Sequence, residues 1–138
     1  MKIHTTNYSN TFIEVAEDCP ARKGEIPSPR GNKPTVAEMQ FNLIRNNPYQ
    51  FTSDDVLFQV FADRNDLTPA EYESARTEFF SKGQACFRAS PLTKRYGWGV
   101  HFNEEQKMAL YAVESVQYDK LVNDAEIAKV KAMRTSRK

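Results

Sequence analysis

The chain has 138 residues, 40% of them apolar and 12% aromatic, enough to bury a core and too many for a globally disordered polymer. Nineteen Lys and Arg against eighteen Asp and Glu leave a net charge of +1, which excludes a bulk polyanion binder and a strongly acidic protein. Domains cluster near roughly 100 to 150 residues, so one domain over 1–138 is expected.

A half-buried strand is expected over 11–16, where Thr11, Phe12, Ile13 and Val15 supply β-branched and aromatic side chains. Residues 19–34 read as a surface loop: four prolines, Gly24, Gly31 and the cations Arg22, Lys23, Arg30 and Lys33 leave little to bury. Thr35-Val36-Ala37-Glu38 is a capping box, followed by Val36, Met39, Leu43 and Ile44 at helical spacing, and Asn46-Asn47-Pro48 stops the run. Thr52-Ser53-Asp54-Asp55 opens a second helix with Val56, Leu57, Val60 and Phe61 on one face. Phe58 lies off that stripe, so a strand over 56–62 remains the alternative. Thr68-Pro69-Ala70-Glu71 starts a third helix carrying Tyr72, Ala75, Arg76, Phe79 and Phe80, ended by Gly83.

The character then changes. Residues 85–89, 98–102 and 108–113 read as strands, the last two joined by a polar turn over 103–107. A final helix is expected from Ser115 through Val130, fraying into a basic tail over 132–138. The sum is an α+β fold in which a small, mainly antiparallel sheet of about four strands is covered by about four helices, on one face.

No apolar run approaches the roughly 18 residues of a membrane-spanning helix, and Met1-Lys2-Ile3-His4 lacks the apolar stretch of a secretory signal. A cytoplasmic protein without membrane association is expected. Cys19 and Cys86 stand far apart with no Cys-x-x-Cys or Cys/His cluster, which indicates two reduced thiols and no structural zinc. Asp54, Asp55, Asp63 and Asp66 match no calcium loop, and the first pair suits a helix start, so no metal and no cofactor are expected.

Charge is segregated along the chain. Residues 1–78 carry eight basic and twelve acidic groups, whereas 79–103 hold Lys82, Arg88, Lys94 and Arg95 and no acid. Within that stretch, Arg88-Ala89-Ser90-Pro91-Leu92-Thr93-Lys94-Arg95-Tyr96-Gly97-Trp98-Gly99-Val100-His101 has the inventory of an anion pocket. Arg88, Lys94 and Arg95 supply charge-assisted donors, Ser90 and Thr93 neutral ones, Tyr96 or Trp98 a stacking wall, and His101 a further titratable donor. The bland alternative is a basic loop beside a core Trp. The glycines flanking Trp98 would admit a ligand or a backbone, or allow a tight bend. The tail cations Lys129, Lys131, Arg134, Arg137 and Lys138 are expected to meet the negative end of the final helix.

Three stretches together, Tyr8-Ser9-Asn10-Thr11-Phe12-Ile13, Thr52-Ser53-Asp54-Asp55-Val56-Leu57-Phe58 and Arg88 through Gly99, resemble a family of short bacterial proteins described only as a domain of unknown function. The likeness runs from Tyr8 to Leu121. It implies a stand-alone bacterial protein and transfers no activity or catalytic residue. Phe61 and the tail lie outside the resembling stretches.

The sequence therefore specifies no function. The first reading is a binding module for a small anionic ligand, bearing phosphate or carboxylate, through 88–101. The second is a small enzyme on an anionic metabolite using Cys86 or His101, which lie on expected neighbouring strands where a thiol and an imidazole could pair. The third is nucleic-acid binding through 88–101 and the basic tail.

Overall fold

The computed structural model describes residues 3–135 and is α+β, a four-stranded sheet with five helices. In chain order these are β1 (Thr11–Glu14), α1 (Val36–Arg45), α2 (Ser53–Arg64), α3 (Tyr72–Phe80), α4 (Pro91–Lys94), β2 (Trp98–Phe102), β3 (Met108–Ala112), α5 (Val116–Val122) and β4 (Ala128–Lys131). The sheet order is β3-β2-β1-β4. β2 pairs antiparallel with both β3 and β1, and β4 joins β1 in parallel, which makes the sheet mixed but mostly antiparallel.

Alternation along the strands sorts the side chains into two layers. Ile13, Val100 and Leu110 are in register and face the main core, where α1 contributes Ala37, Phe41 and Ile44 and α2 contributes Val56 and Val60. Phe12, His101 and Ala109 face the other way. There Tyr118 of α5 meets the ring of Phe12 edge-on at 5.0 Å. Helices thus cover both faces, a correction to the single covered face expected from sequence. Gly99 makes this second layer possible: a Cβ there would collide with the rings of Phe12 and Tyr118.

The ambiguous segment 56–62 is helix, and its pattern has a physical origin. Val56, Phe58, Val60 and Ala62 are all buried, which mimics the period of a strand. They are buried on two sides of one helix. Val56 and Val60 enter the main core, while Phe58 and Ala62 build a second cluster with Phe80 of α3. A complete capping box fixes the start of α2: Asp55 N–H donates to Thr52 Oγ1 at 3.1 Å and Thr52 N–H to Asp55 Oδ2 at 3.0 Å. The box expected at α1 is half made. Thr35 Oγ1 accepts from Glu38 N–H at 3.1 Å, but Glu38 Oε1 is buried without a partner.

Two expected elements are overturned. Residues 85–89 form no strand; Phe87–Ala89 is a turn of 3-10 helix that buries Phe87 completely. The final helix ends at Val122 rather than near Val130. Asn123 caps it by donating its side-chain amide to Asp119 O at 2.8 Å, and Ala128–Lys131 becomes β4, with Val130 opposite Ile13. The free edge of β1 supplies backbone hydrogen bonds to this segment, and Val130, β-branched, suits a strand better than a solvated helix. The sheet therefore has four strands as expected, with 128–131 replacing 85–89.

Outside the helices and strands, residues 19–34 contain one β-bridge, between Arg30 and Lys33. The loop is tied to the start of β2: Glu25 N–H donates to Tyr96 O at 2.8 Å and Trp98 Nε1–H to Glu25 O at 2.9 Å. Gly97 has a φ of +80°, and a Cβ there would lie 2.5 Å from Lys23 O. The space beside both glycines is filled by the protein itself.

Gly99→Ala is expected to destabilise the fold by about 1–3 kcal/mol through overpacking. Thermal unfolding checks this against Gly83→Ala, where the site is open and the melting temperature should hardly move.

Candidate functional site

The segment 88–101 does not fold around one pocket. Ser90 and Thr93 are interior: Ser90 Oγ donates to Gln40 Oε1 at 2.7 Å and accepts from Leu92 N–H, and Thr93 Oγ1 donates to Phe87 O at 2.6 Å. Both hydroxyls are occupied in holding α4 to the core. Arg88 donates Nε–H to Lys131 O at 2.7 Å and so braces β4. Trp98 is 5% exposed, packs against the tilted Phe41 ring at 5.2 Å with the Arg45 guanidinium 5.2 Å over its own ring, and is a core residue. His101 lies on the second face of the sheet. Lys94 is half-buried and lies outside the cleft described next.

Arg95 and Tyr96 do reach a concavity. It has a volume of about 820 Å³ and lies where the loop 30–34, the N-terminal turn of α1, the C-terminal end of α2 and α4 meet. The Arg30–Lys33 turn, closed by Arg30 N–H to Lys33 O at 3.0 Å with Gly31 at φ +67°, sets two cations side by side. Arg64 comes from the last turn of α2, where a cation suits the helix dipole, and Arg95 caps α4. Four cations, Arg30, Lys33, Arg64 and Arg95, line this cleft against two carboxylates, Asp63 and Asp66. Among the described residues none of the four is in an ion pair, whereas Arg76 is held by Asp55 at 3.0 Å and Lys131 and Arg134 by Glu17. Tyr96 adds an aromatic wall and a hydroxyl.

Sequence reasoning centred the site on a contiguous segment and missed Arg30, Lys33 and Arg64. Their signal was present but split: two lay in the proline-rich loop and one in the last turn of a helix, where a structural reading of the charge suffices.

The thiol and imidazole of the enzyme reading are not paired. Cys86 caps the 3-10 turn, and its Sγ lies 3.4 Å from Tyr8 Oη, whose pKa is pushed up to about 12 by burial and by the Cys86 contact. His101 is bound elsewhere: Nδ1 is 2.7 Å from Tyr49 Oη, which lies 2.8 Å from Tyr111 Oη. His101 Nε2 is buried without a hydrogen-bond partner. Burial lowers the His101 pKa, with the charge of Asp124 opposing, and burial together with the Tyr111 hydroxyl raises that of Tyr49. Both rings are therefore neutral near pH 7.

Lys129 and Lys131 are not in the last turn of a helix, as the sequence suggested, because 128–131 is strand. Lys131 and Arg134 bridge to Glu17, Lys129 Nζ donates to Asp124 O, and Arg137 and Lys138 lie outside the described residues. Asp54 receives hydrogen bonds from Thr5 and Thr6, which pins the N-terminal segment to α2. Among the described residues no group of three or more His, Cys, Asp and Glu is placed to hold a metal ion, and no helix is long and apolar enough to cross a membrane.

With these features in view, the chain belongs to the Family of unknown function (DUF6157), whose model matches residues 3–138. No curated protein and no solved structure matches it. The function of the protein is unknown.

The lowered His101 pKa has a defined sign. Unfolding exposes a His that binds a proton near pH 6.5, so stability is full above that value and falls as pH drops below it. Chemical denaturation at pH 7.5 and 5.5 should show a loss for the wild type that is smaller in His101→Gln, bounded by about 1.4 kcal/mol per pH unit.

Proposed function

We propose that the protein is a cytoplasmic binding module for a small anionic ligand, held in the cleft of Arg30, Lys33, Arg64, Arg95 and Tyr96. The observation that carries this reading is four cations brought from three separate parts of the chain to one concavity, none of them in an ion pair among the described residues. Four cations against two carboxylates leave a net like-charge repulsion that opposes folding, and an anion relieves it. Guanidinium groups offer paired donors that match phosphate or carboxylate oxygens, and the N-terminal turn of α1 at the cleft adds a favourable dipole. The cytoplasmic reading is supported by two free cysteines.

Within the segment 88–101, Arg95 and Tyr96 contact the ligand. Ser90, Thr93 and Trp98 support the cleft from behind through the contacts already described, and Arg88 is turned away to β4.

Pyrophosphate titrated by calorimetry and by thermal shift tests the reading. At a hundredfold excess over Kd, ligand binding should stabilise the fold by about 2.7 kcal/mol. Arg30→Ala with Arg95→Ala should weaken binding by roughly 10- to 100-fold per lost charged hydrogen bond, while Arg88→Ala should leave affinity nearly unchanged. Equal binding by the wild type and the double variant would overturn the assignment.

A further inference from the structure

A second groove continues from the cleft. Its volume is about 520 Å³, within the range of roughly 300–1,000 Å³ typical of ligand sites, and it shares Val36, Arg64 and Pro91 with the cleft as common walls. Its chemistry is different. Leu57, Val60, Phe61 and Phe79 line it, and Arg64, at the junction, is its one charged residue. Two of its polar side chains are engaged within the protein: Gln40 Oε1 accepts from Ser90, and Cys86 Sγ lies 3.4 Å from Tyr8 Oη. Phe61 is 36% exposed and stacks on Phe79 with ring centroids 4.7 Å apart, which leaves aromatic surface open along the groove.

Charge bounds what sits at the head of this composite site. Four cations against two carboxylates leave a surplus of two positive charges in the cleft, which a phosphate monoester, at about −1.5 to −2 near neutral pH, matches better than a single carboxylate does. We propose that the ligand is a soluble, single-chain amphiphile, a phosphate monoester whose apolar tail lies along the groove of Leu57, Val60, Phe61 and Phe79. The proposal rests on the anion-binding reading of the cleft and adds the tail. Arg64 stands at the joint, where it can hold a phosphate oxygen while its aliphatic stem lies beside the tail. Gln40 Oε1, Asn65 Nδ2, Gln84 Nε2 and Ser90 Oγ on the groove are hydrogen-bonded within the protein, so an apolar chain leaves these bonds in place as it displaces water.

The experiment compares inorganic phosphate with methyl, butyl and octyl phosphate, each below its aggregation concentration. Affinity should rise about three- to fourfold per methylene buried. Phe61→Ser and, as an independent block, Ala85→Trp should flatten that dependence and leave the affinity for inorganic phosphate unchanged; Ala85 is exposed on the groove wall, so its variant keeps the core intact. Arg95→Ala should weaken every member of the series equally. Alkylation of Cys86 in a Cys19→Ser background supplies a positional readout, because octyl phosphate should protect the thiol and inorganic phosphate should not.

Binding of inorganic phosphate with no gain along the series would overturn the amphiphile and leave the anion site standing. Binding of none of the four would remove both. Retention on anionic vesicles without binding of monomeric octyl phosphate would also overturn the proposal, in favour of a membrane surface.

Discussion

Four residues of β1 hold the sheet together. The β2–β3 hairpin alone would be marginal, since two strands rarely bury enough surface to persist in water. β1 adds an antiparallel partner on one side through Thr11, Phe12 and Ile13 and a parallel one on the other through Thr11 to Glu14. Phe12 and Ile13 are fully buried on opposite faces, so this short strand also joins the two packed layers. Burying each side chain is worth about 1.5–3 kcal/mol. The parallel pairing forces the chain after β3 to cross over before it can return as β4, and that crossover is α5.

The same economy of short elements places the cleft. α2 is buried from two sides, by the main core and by α3, so its C-terminal turn and Arg64 have a fixed position beside α1. α4 is one turn long and would not persist alone; Ser90 and Thr93 fasten it to Gln40 and Phe87, and Arg95 follows from that attachment. The loop is fastened at Tyr96 and Trp98, which delivers the Arg30–Lys33 turn. The interior polar groups of 88–101 thus position the cations that face solvent.

Much of this was legible in the chain. Capping residues at Thr35 and Thr52 marked two helix starts, and the polar run over 103–107 marked the hairpin turn, which Asn103 Oδ1 closes by accepting from Glu105 and Lys107 N–H. The segments misjudged are those whose conformation answers to distant partners. Residues 128–131 become a strand along the open edge of β1, and 85–89 turn instead into a 3-10 segment that buries Phe87. Phe58 looked out of place because one helix serving two clusters has no single apolar stripe.

Local chemistry therefore determined the class of the fold, the helix starts, the hairpin and the separation of charge along the chain, because caps, turns and periodicity act over a few residues. Tertiary structure alone decided the fourth strand, the covering of both sheet faces and the membership of the basic cleft. Those depend on which edges and surfaces meet, and Arg30, Lys33, Arg64 and Arg95 are neighbours only after the core has brought three segments together.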